Sequence, residues 1–345
     1  MTPFARHAPA TALAVAHGGV GPLLSVRDLT IEFTSRRGTL VAVDHVSFDI
    51  ARGESLGVVG ESGAGKSITG AAVLALIEPP GRIAGGEVRL AGERIDNLDP
   101  EAMRRVRGKR IGMIFQDPLT SLNPLYTVGQ QLIQTITTHL ALTPREARKR
   151  AVELLAEVGI PSPAQRLSNY PHQFSGGMRQ RVVIAMALAA EPELVIADEP
   201  TTALDVSVQA QVISLLKRLC RERDTAVMLI THDMGVIAEM THRVLVMYAG
   251  RIVEDGPVGA VLKSPCHPYT VGLMGAIPVI GGENPRLIQI PGAMPRLNHI
   301  PSGCAFHPRC PHSFERCRRE RPDLNPAGSS IAACWLHGTT GSACA

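Results

Sequence analysis

The stretch Gly60-Glu61-Ser62-Gly63-Ala64-Gly65-Lys66-Ser67, followed by Ile68, decides the fold. It fits the pattern G-x-x-x-x-G-K-[ST], whose residue types suit a chain of phosphates. Glycines let backbone N–H groups converge on phosphate oxygens with no Cβ in the way. A helix starting at the loop's end turns the positive end of its dipole toward the anion. Lys66 offers a point charge to β- and γ-phosphates, and the Ser67 hydroxyl is a ligand for Mg²⁺. With Gly at about 7% of residues, chance alone gives roughly 10⁻² matches in a chain of this length. The apolar run Ser55 to Val59 precedes the loop, and Lys66 to Ile77 follows with helical composition, stopping before Pro79-Pro80. Strand, glycine loop and helix in that order predict an α/β nucleotide site.

Upstream, Leu29 to Phe33 and Val46 to Ile50 alternate as strands around the Arg36-Arg37-Gly38 turn. Downstream, Ile111 to Phe115, Leu194 to Ala197, Ala226 to Thr231 and Val244 to Tyr248 are short apolar runs of the buried-strand kind. Val208, Val212, Leu215, Leu216 and Leu219 recur at helical spacing. Residues 120–172 lack the strand pattern, and Arg145 to Val158 reads as helix, so a mostly helical insert is expected there.

Composition narrows the function. The chain has 345 residues, 45% hydrophobic and 19% charged, enough for a sizeable core. A net charge of +4 and only 3% aromatics give no reason to propose a nucleic-acid partner. The Ala-rich stretch Ala8 to Leu24 is broken by Pro9, His17, Gly18, Gly19 and Pro22, and reads as a flexible leader over residues 1–22 rather than a signal peptide.

Leu194 to Ala197 ends in Asp198-Glu199, so a strand delivers two acids. Asp198 is placed to hold Mg²⁺ through its water shell, and Glu199 to orient or deprotonate the attacking water. Ser175-Gly176-Gly177-Met178 opens an apolar helix and offers a hydroxyl with bare amides, a second anion-binding surface. Gln116 and His232 each follow a predicted strand. Taken singly, the acid pair reads equally well as an ordinary strand end, and the Ser175 turn, Gln116 and His232 each read more readily as a plain cap or strand-end residue; their order along the chain gives them meaning.

That order resembles the ATP-binding cassette family over about residues 24–264. Walker A falls on Gly60–Ser67, a Q-loop on Gln116, the signature on Ser175–Met178 and Walker B on Leu194–Asp198. Glu199 follows, then a D-loop at Ala203-Leu204-Asp205 and a switch at His232. The resemblance implies a P-loop NTPase domain over residues 23–264, with a mixed sheet, an antiparallel β-subdomain and a helical subdomain. It implies Glu199, His232 and Lys66 as catalytic residues, with Mg²⁺ held by Ser67, Gln116 and Asp198. ATP would touch residues 60–68, Gln116, Ser175, Gly176, Gly177 and Asp205, with Phe33 as the base-stacking aromatic. Family members pair head to tail around two ATP molecules, so Ser175 and Gly177 would serve the partner's nucleotide. The signature departs from the common pattern, with Phe174 and Met178 where Leu and Gln are usual.

Phe115 to Pro124, Tyr170-Pro171-His172-Gln173 and His267-Pro268-Tyr269-Thr270 narrow the resemblance to the oligopeptide/dipeptide/nickel importer subfamily, nearest its dipeptide branch. This implies a second, different ATPase subunit in a heterodimer, two transmembrane permeases and, indirectly, a substrate-binding protein. It also implies a peripheral place on the cytoplasmic face of the inner membrane. Import of nickel chelates or other small solutes is the alternative within the subfamily. A soluble cassette acting on ribosomes or DNA is the rival outside it, although no sustained heptads are visible here.

Residues 265–345 read as a C-terminal extension with the spacing Cys304-x₅-Cys310-x₆-Cys317-x₁₆-Cys334. Four thiolates can hold a [4Fe–4S] cluster or a zinc ion, or stay free. The C-x₂-C pair usual in zinc knuckles is missing, and wider spacings suit a cubane with one thiolate per corner. The subfamily includes members with such a cluster in this extension, which favours that expectation.

Overall fold

The structure is a computed structural model that describes residues 21–36, 38–202, 204–276 and 289–337. The expected leader lies outside these residues except for Gly21 and Pro22. Strands run in chain order as β1 (Leu24–Ser35), β2 (Gly38–Ile50), β3 (Ser55–Val59), β4 (Gly81–Leu90), β5 (Glu93–Arg94), β6 (Ile111–Ile114), β7 (Leu194–Asp198), β8 (Ala226–Ile230), β9 (Arg243–Tyr248), β10 (Arg251–Pro257), β11 (Asn325–Ala327) and β12 (Ser330–Ala332). They form an antiparallel sheet in the order β2-β1-β4-β5 and a mixed sheet in the order β11-β12-β10-β9-β3-β8-β7-β6.

The mixed sheet has a parallel core. β3 pairs in parallel with both β8 and β9, and β7 pairs in parallel with β8 and β6. The middles of these parallel strands are apolar because both faces are covered. Successive side chains point to opposite faces, and the two hydrophobic clusters divide accordingly. Leu194 and Ile196, Met228 and Ile230, and Leu245 and Met247 face the antiparallel sheet and the helix Lys66–Val73. Val195 and Ala197, Val227 and Leu229, and Val244 and Val246 face the helices on the other side.

Residues 118–173 carry four α-helices, Pro118–Ser121, Val128–His139, Pro144–Glu157 and Pro163–Arg166, and a short 3₁₀ turn. Thr127 and Thr143 start the two longer ones with capping boxes, each closed by a side chain three residues on, Gln130 and Glu146. The helix after the phosphate loop ends at Val73, short of the expected Ile77. Ala75 takes a positive φ of 50°, and Leu76 N–H returns to the Ala71 carbonyl, closing the helix early. Strand β4 went unseen in the sequence because Gly81, Gly85 and Gly86 interrupt its pattern.

The described residues beyond 264 join this architecture. β12 extends the mixed sheet from β10, and Tyr269 and Phe306 belong to the main apolar cluster. Arg243 bonds Asp255 at 2.8 and 2.9 Å, Glu54 at 2.9 Å and the Asp49 carbonyl, tying β9 to β2, β10 and the residue before β3. Both acids are largely buried, and burial pushes the Asp255 carboxyl above its ordinary value even with the guanidinium beside it. Arg243→Met would leave two buried carboxylates unpaired, so we expect a loss of about 3–5 kcal/mol and a Tm drop on the order of 10 °C. A thermal melt reads this directly, and a change under about 1 kcal/mol would contradict it.

Candidate active site

The candidate site residues gather where neighbouring parallel strands end, the place where open α/β sheets bind ligands. Reading across β3-β8-β7-β6, the carboxyl ends deliver the loop from Gly60, then His232, then Asp198 and Glu199, then Gln116. Backbone bonds stitch these ends together. Thr231 N–H reaches the Val58 carbonyl at 3.2 Å, and Glu199 N–H reaches the Ile230 carbonyl at 2.8 Å.

The phosphate loop needs its glycines. Gly60 has φ +148°, and a Cβ there would lie 2.3 Å from the Met247 carbonyl oxygen. Gly65, at φ +102°, precedes the helix and presses against the Ala42 carbonyl. Lys66 is buried and donates from Nζ to the carbonyls of Gly60 (2.8 Å) and Glu61 (3.1 Å). Burial pulls its pKa below the ordinary lysine value, against the opposing charges of Glu199, Asp198 and Glu61. Ile68 packs partly buried behind the loop.

Ser67 and Asp198 meet as the sequence suggested, with Ser67 Oγ donating to Asp198 Oδ1 at 2.9 Å. Burial pushes the Asp198 carboxyl above its ordinary range, with Glu199 adding to it; the Ser67 bond and Lys66 oppose. A dication would relieve that cost, and hard oxygen donors are what Mg²⁺ takes, so the pair fits the ion.

Glu199 is the hub. Gln116 Nε2 donates to Oε2 at 3.0 Å, Thr202 Oγ1 donates to the same oxygen at 2.8 Å, and His232 Nδ1 lies 3.2 Å from Oε1. Burial alone would raise its pKa, yet the Thr202 and His232 bonds, with the charges of His232 and Lys66, bring it below the ordinary carboxylate value. It therefore stays ionised at neutral pH. Its φ of 45° is a strained backbone for a non-glycine residue, held by the surrounding bonds.

Other expected site residues stand apart from this cluster. Ser175 caps its own helix, Gly176–Ala187, accepting from Met178 N–H, while a Cβ added at Gly177 would lie 2.6 Å from the Val208 side chain. Among the described residues no hydrogen bond joins Ser175, Gly176 or Gly177 to the phosphate loop. Asp205 precedes the helix Val206–Glu222 and is exposed. Phe33 lies half-buried on β1 across from Gly81, in the antiparallel sheet. Sequence reasoning missed Thr202, whose signal was a hydroxyl three residues past Glu199 in the same turn. It quoted Tyr269 only within a subfamily stretch and did not foresee that Tyr269 and Arg309 bind Glu61 from 208 and 248 residues away, a contact for which the sequence carries no local signal.

Cys304, Cys310, Cys317 and Cys334 line one small cavity with His307, His312 and Trp335. Burial raises the thiol pKa of Cys304, Cys310 and Cys334, the last to about 11, and the neighbouring cysteines add to it. Among the described residues no three His, Cys, Asp or Glu side chains stand close enough to hold a single metal ion. The structure thus gives the four-cysteine expectation a shared cavity but no preformed ion site. Cys220 is a core residue, its thiol pushed up to about 12 by burial.

Comparison with known proteins agrees with this geometry. Residues 43–202 match the ABC transporter family, and residues 253–317 match the oligopeptide/dipeptide transporter C-terminal region. The chain is 46% identical over 303 residues to the dipeptide transport ATP-binding protein DppD of Escherichia coli (strain K12), covering 88% of this chain and 93% of that one. It is 48% identical over 313 residues to the oligopeptide transport ATP-binding protein OppD of Salmonella typhimurium, covering 91% and 93%. Among solved structures, the ATP-binding cassette MJ0796, in a dimeric post-hydrolysis state bound to ADP and Pi, aligns with a TM-score of 0.62 at 29% identity, covering 68% of this chain and 98% of that one. A phosphate loop, an acid pair and a polar hub at adjoining strand ends, carried on a sequence this similar, place the chain in the ABC transporter family, as an ATP-binding subunit of the oligopeptide/dipeptide importer group.

Proposed function

We propose that this chain hydrolyses ATP to power uptake of dipeptides and oligopeptides through a pair of membrane permeases. The observation that carries the reading is the gathering of Lys66, Ser67, Asp198, Glu199, Gln116 and His232 at the ends of β3, β8, β7 and β6. The names of the relatives supply the peptide, and the match over residues 253–317 supports it.

In this reading residues 60–68 cradle the phosphates, and Lys66 turns from its loop carbonyls to the β/γ-phosphates. Ser67, Asp198 and Gln116 would hold Mg²⁺, which when bound neutralises phosphate charge. Glu199, ionised and oriented by Thr202 and His232, accepts the proton of the attacking water. Ser175 caps the helix that Gly176 and Gly177 begin, leaving that face for the nucleotide of a second ATPase subunit. Asp205 would face the same junction, and Phe33 would stack on the base. ATP held between two subunits makes charge-assisted bonds to both, and hydrolysis removes them, so the pair opens and moves the permeases. No helix among the described residues is long and apolar enough to cross a membrane. We place the chain peripherally on the cytoplasmic face, docking through the helices of residues 118–173.

Reconstituting the chain with its partner ATPase, both permeases and binding protein tests the reading. Dipeptides and longer peptides should stimulate ATP hydrolysis. Stimulation by nickel chelates alone would replace the substrate, and absence of hydrolysis would overturn the whole reading.

We also propose that residues 265–345 carry a [4Fe–4S] cluster on Cys304, Cys310, Cys317 and Cys334. Their common cavity supports this. The wide sequence spacings suit a cubane, which offers each thiolate its own iron, better than a lone zinc. Anaerobically purified protein should contain about four irons and four sulfides per chain. Less than one iron with stoichiometric zinc would refute the cluster.

A further inference from the structure

We propose that Arg309 and Tyr269, supplied by the C-terminal region, are positioning residues of the phosphate loop and set the affinity for ATP. The inference rests on the ATP-hydrolysing reading above and names two residues that reading does not use.

The loop's first peptide is pulled from both sides. Glu61 N–H donates to the Tyr269 hydroxyl at 2.7 Å. A trans peptide points its C=O opposite to its N–H, so this bond turns the Gly60 carbonyl the other way, where it receives Lys66 Nζ at 2.8 Å. Gly60 has no Cβ and an unusual φ, so nothing intrinsic fixes that plane. The Glu61 side chain is held as well. Arg309 donates to Oε2 from Nη1 at 2.6 Å and to Oε1 from Nη2 at 2.9 Å, a two-pronged charge-assisted bond.

The anchor is itself rigid. Arg309 is only 7% exposed, and its Nε donates to the Pro291 carbonyl at 2.8 Å. Its guanidinium lies over the rings of Tyr248 and Phe306, and Tyr269 packs against both rings. Tyr248 ends β9, a neighbour of β3, so the anchor stands on the same sheet that presents the loop. A buried arginine whose two strongest bonds go to a loop carboxylate 248 residues away does more than fill space. It holds the loop open before nucleotide arrives, and preorganisation of this kind appears as affinity.

Neither residue touches the acids that do the chemistry, so the effect should fall on KM. In the full-length chain assembled with its partner subunits, Arg309→Met and Tyr269→Phe should each raise KM for ATP by roughly three- to tenfold, with kcat falling far less. Arg309→Lys keeps the charge but loses the fork, and should sit between wild type and Arg309→Met. Combining Arg309→Met with Glu61→Gln should cost no more than the worse single change, since both break one bond. A purely structural role predicts a lower Tm with KM unchanged, and KM within about twofold of wild type in both Arg309→Met and Tyr269→Phe overturns the inference. Should Arg309→Met fail to assemble, Tyr269→Phe, which removes one hydroxyl, carries the test alone. Wild-type assembly that hydrolyses no ATP would instead sink the functional reading, so the two failures are distinguishable.

Discussion

Exchanging Glu199 for glutamine lowers kcat for ATP hydrolysis by roughly 10²–10⁴-fold and leaves KM for ATP nearly unchanged. The side chain keeps its shape. One oxygen remains to accept from Gln116 and Thr202, and the new amide can donate toward His232. What disappears is the ability to take a proton. Because the surroundings hold this carboxyl below its ordinary pKa, wild-type Glu199 is a base across the neutral range, and no pH adjustment restores the variant. The substituted subunit should therefore accumulate with ATP in place and its partner closed upon it. Steady-state hydrolysis at the wild-type rate would remove Glu199 from the mechanism.

Lys66→Ala produces the second large effect, on binding. Hydrogen bonds to charged groups are worth about 1.5–3 kcal/mol each, so removing one weakens affinity roughly 10- to 100-fold. ATP binding should fall by at least about tenfold and peptide uptake should stop. The fold should not suffer. Among the described residues Lys66 Nζ bonds only the Gly60 and Glu61 carbonyls, and burial already lowers its pKa, so the protein holds this ammonium at a cost. Equal or higher Tm together with ATP affinity weakened by at least about tenfold, measured by melting and calorimetry on the same sample, is the expected signature. Uptake at the wild-type rate would end the account of the site.

These predictions differ in how far the sequence reached them. Lys66 was legible because a phosphate loop is local: eight consecutive residues hold its glycines, lysine and serine, and its backbone conformation is written in residue type. Asp198-Glu199 was legible as a strand ending in two acids, but the strand did not say what the acids would face. Gln116 and His232 reach Glu199 only because β6, β7 and β8 lie side by side, an order set by how the strands pack, whereas Thr202 reaches it within one turn. Strand β4 was hidden by glycines, and the end of the first helix by a left-handed alanine.

By itself the sequence determined the nucleotide-binding loop, the α/β class and the run of doubly buried strands, since each is encoded over a few adjacent residues by periodicity and turn chemistry. Only the tertiary structure decided that one carboxylate would gather three polar partners, that four distant cysteines would share a cavity, and that Arg309 and Tyr269 would grip Glu61. Contacts between residues tens to hundreds of positions apart depend on strand order and packing, which no local pattern records.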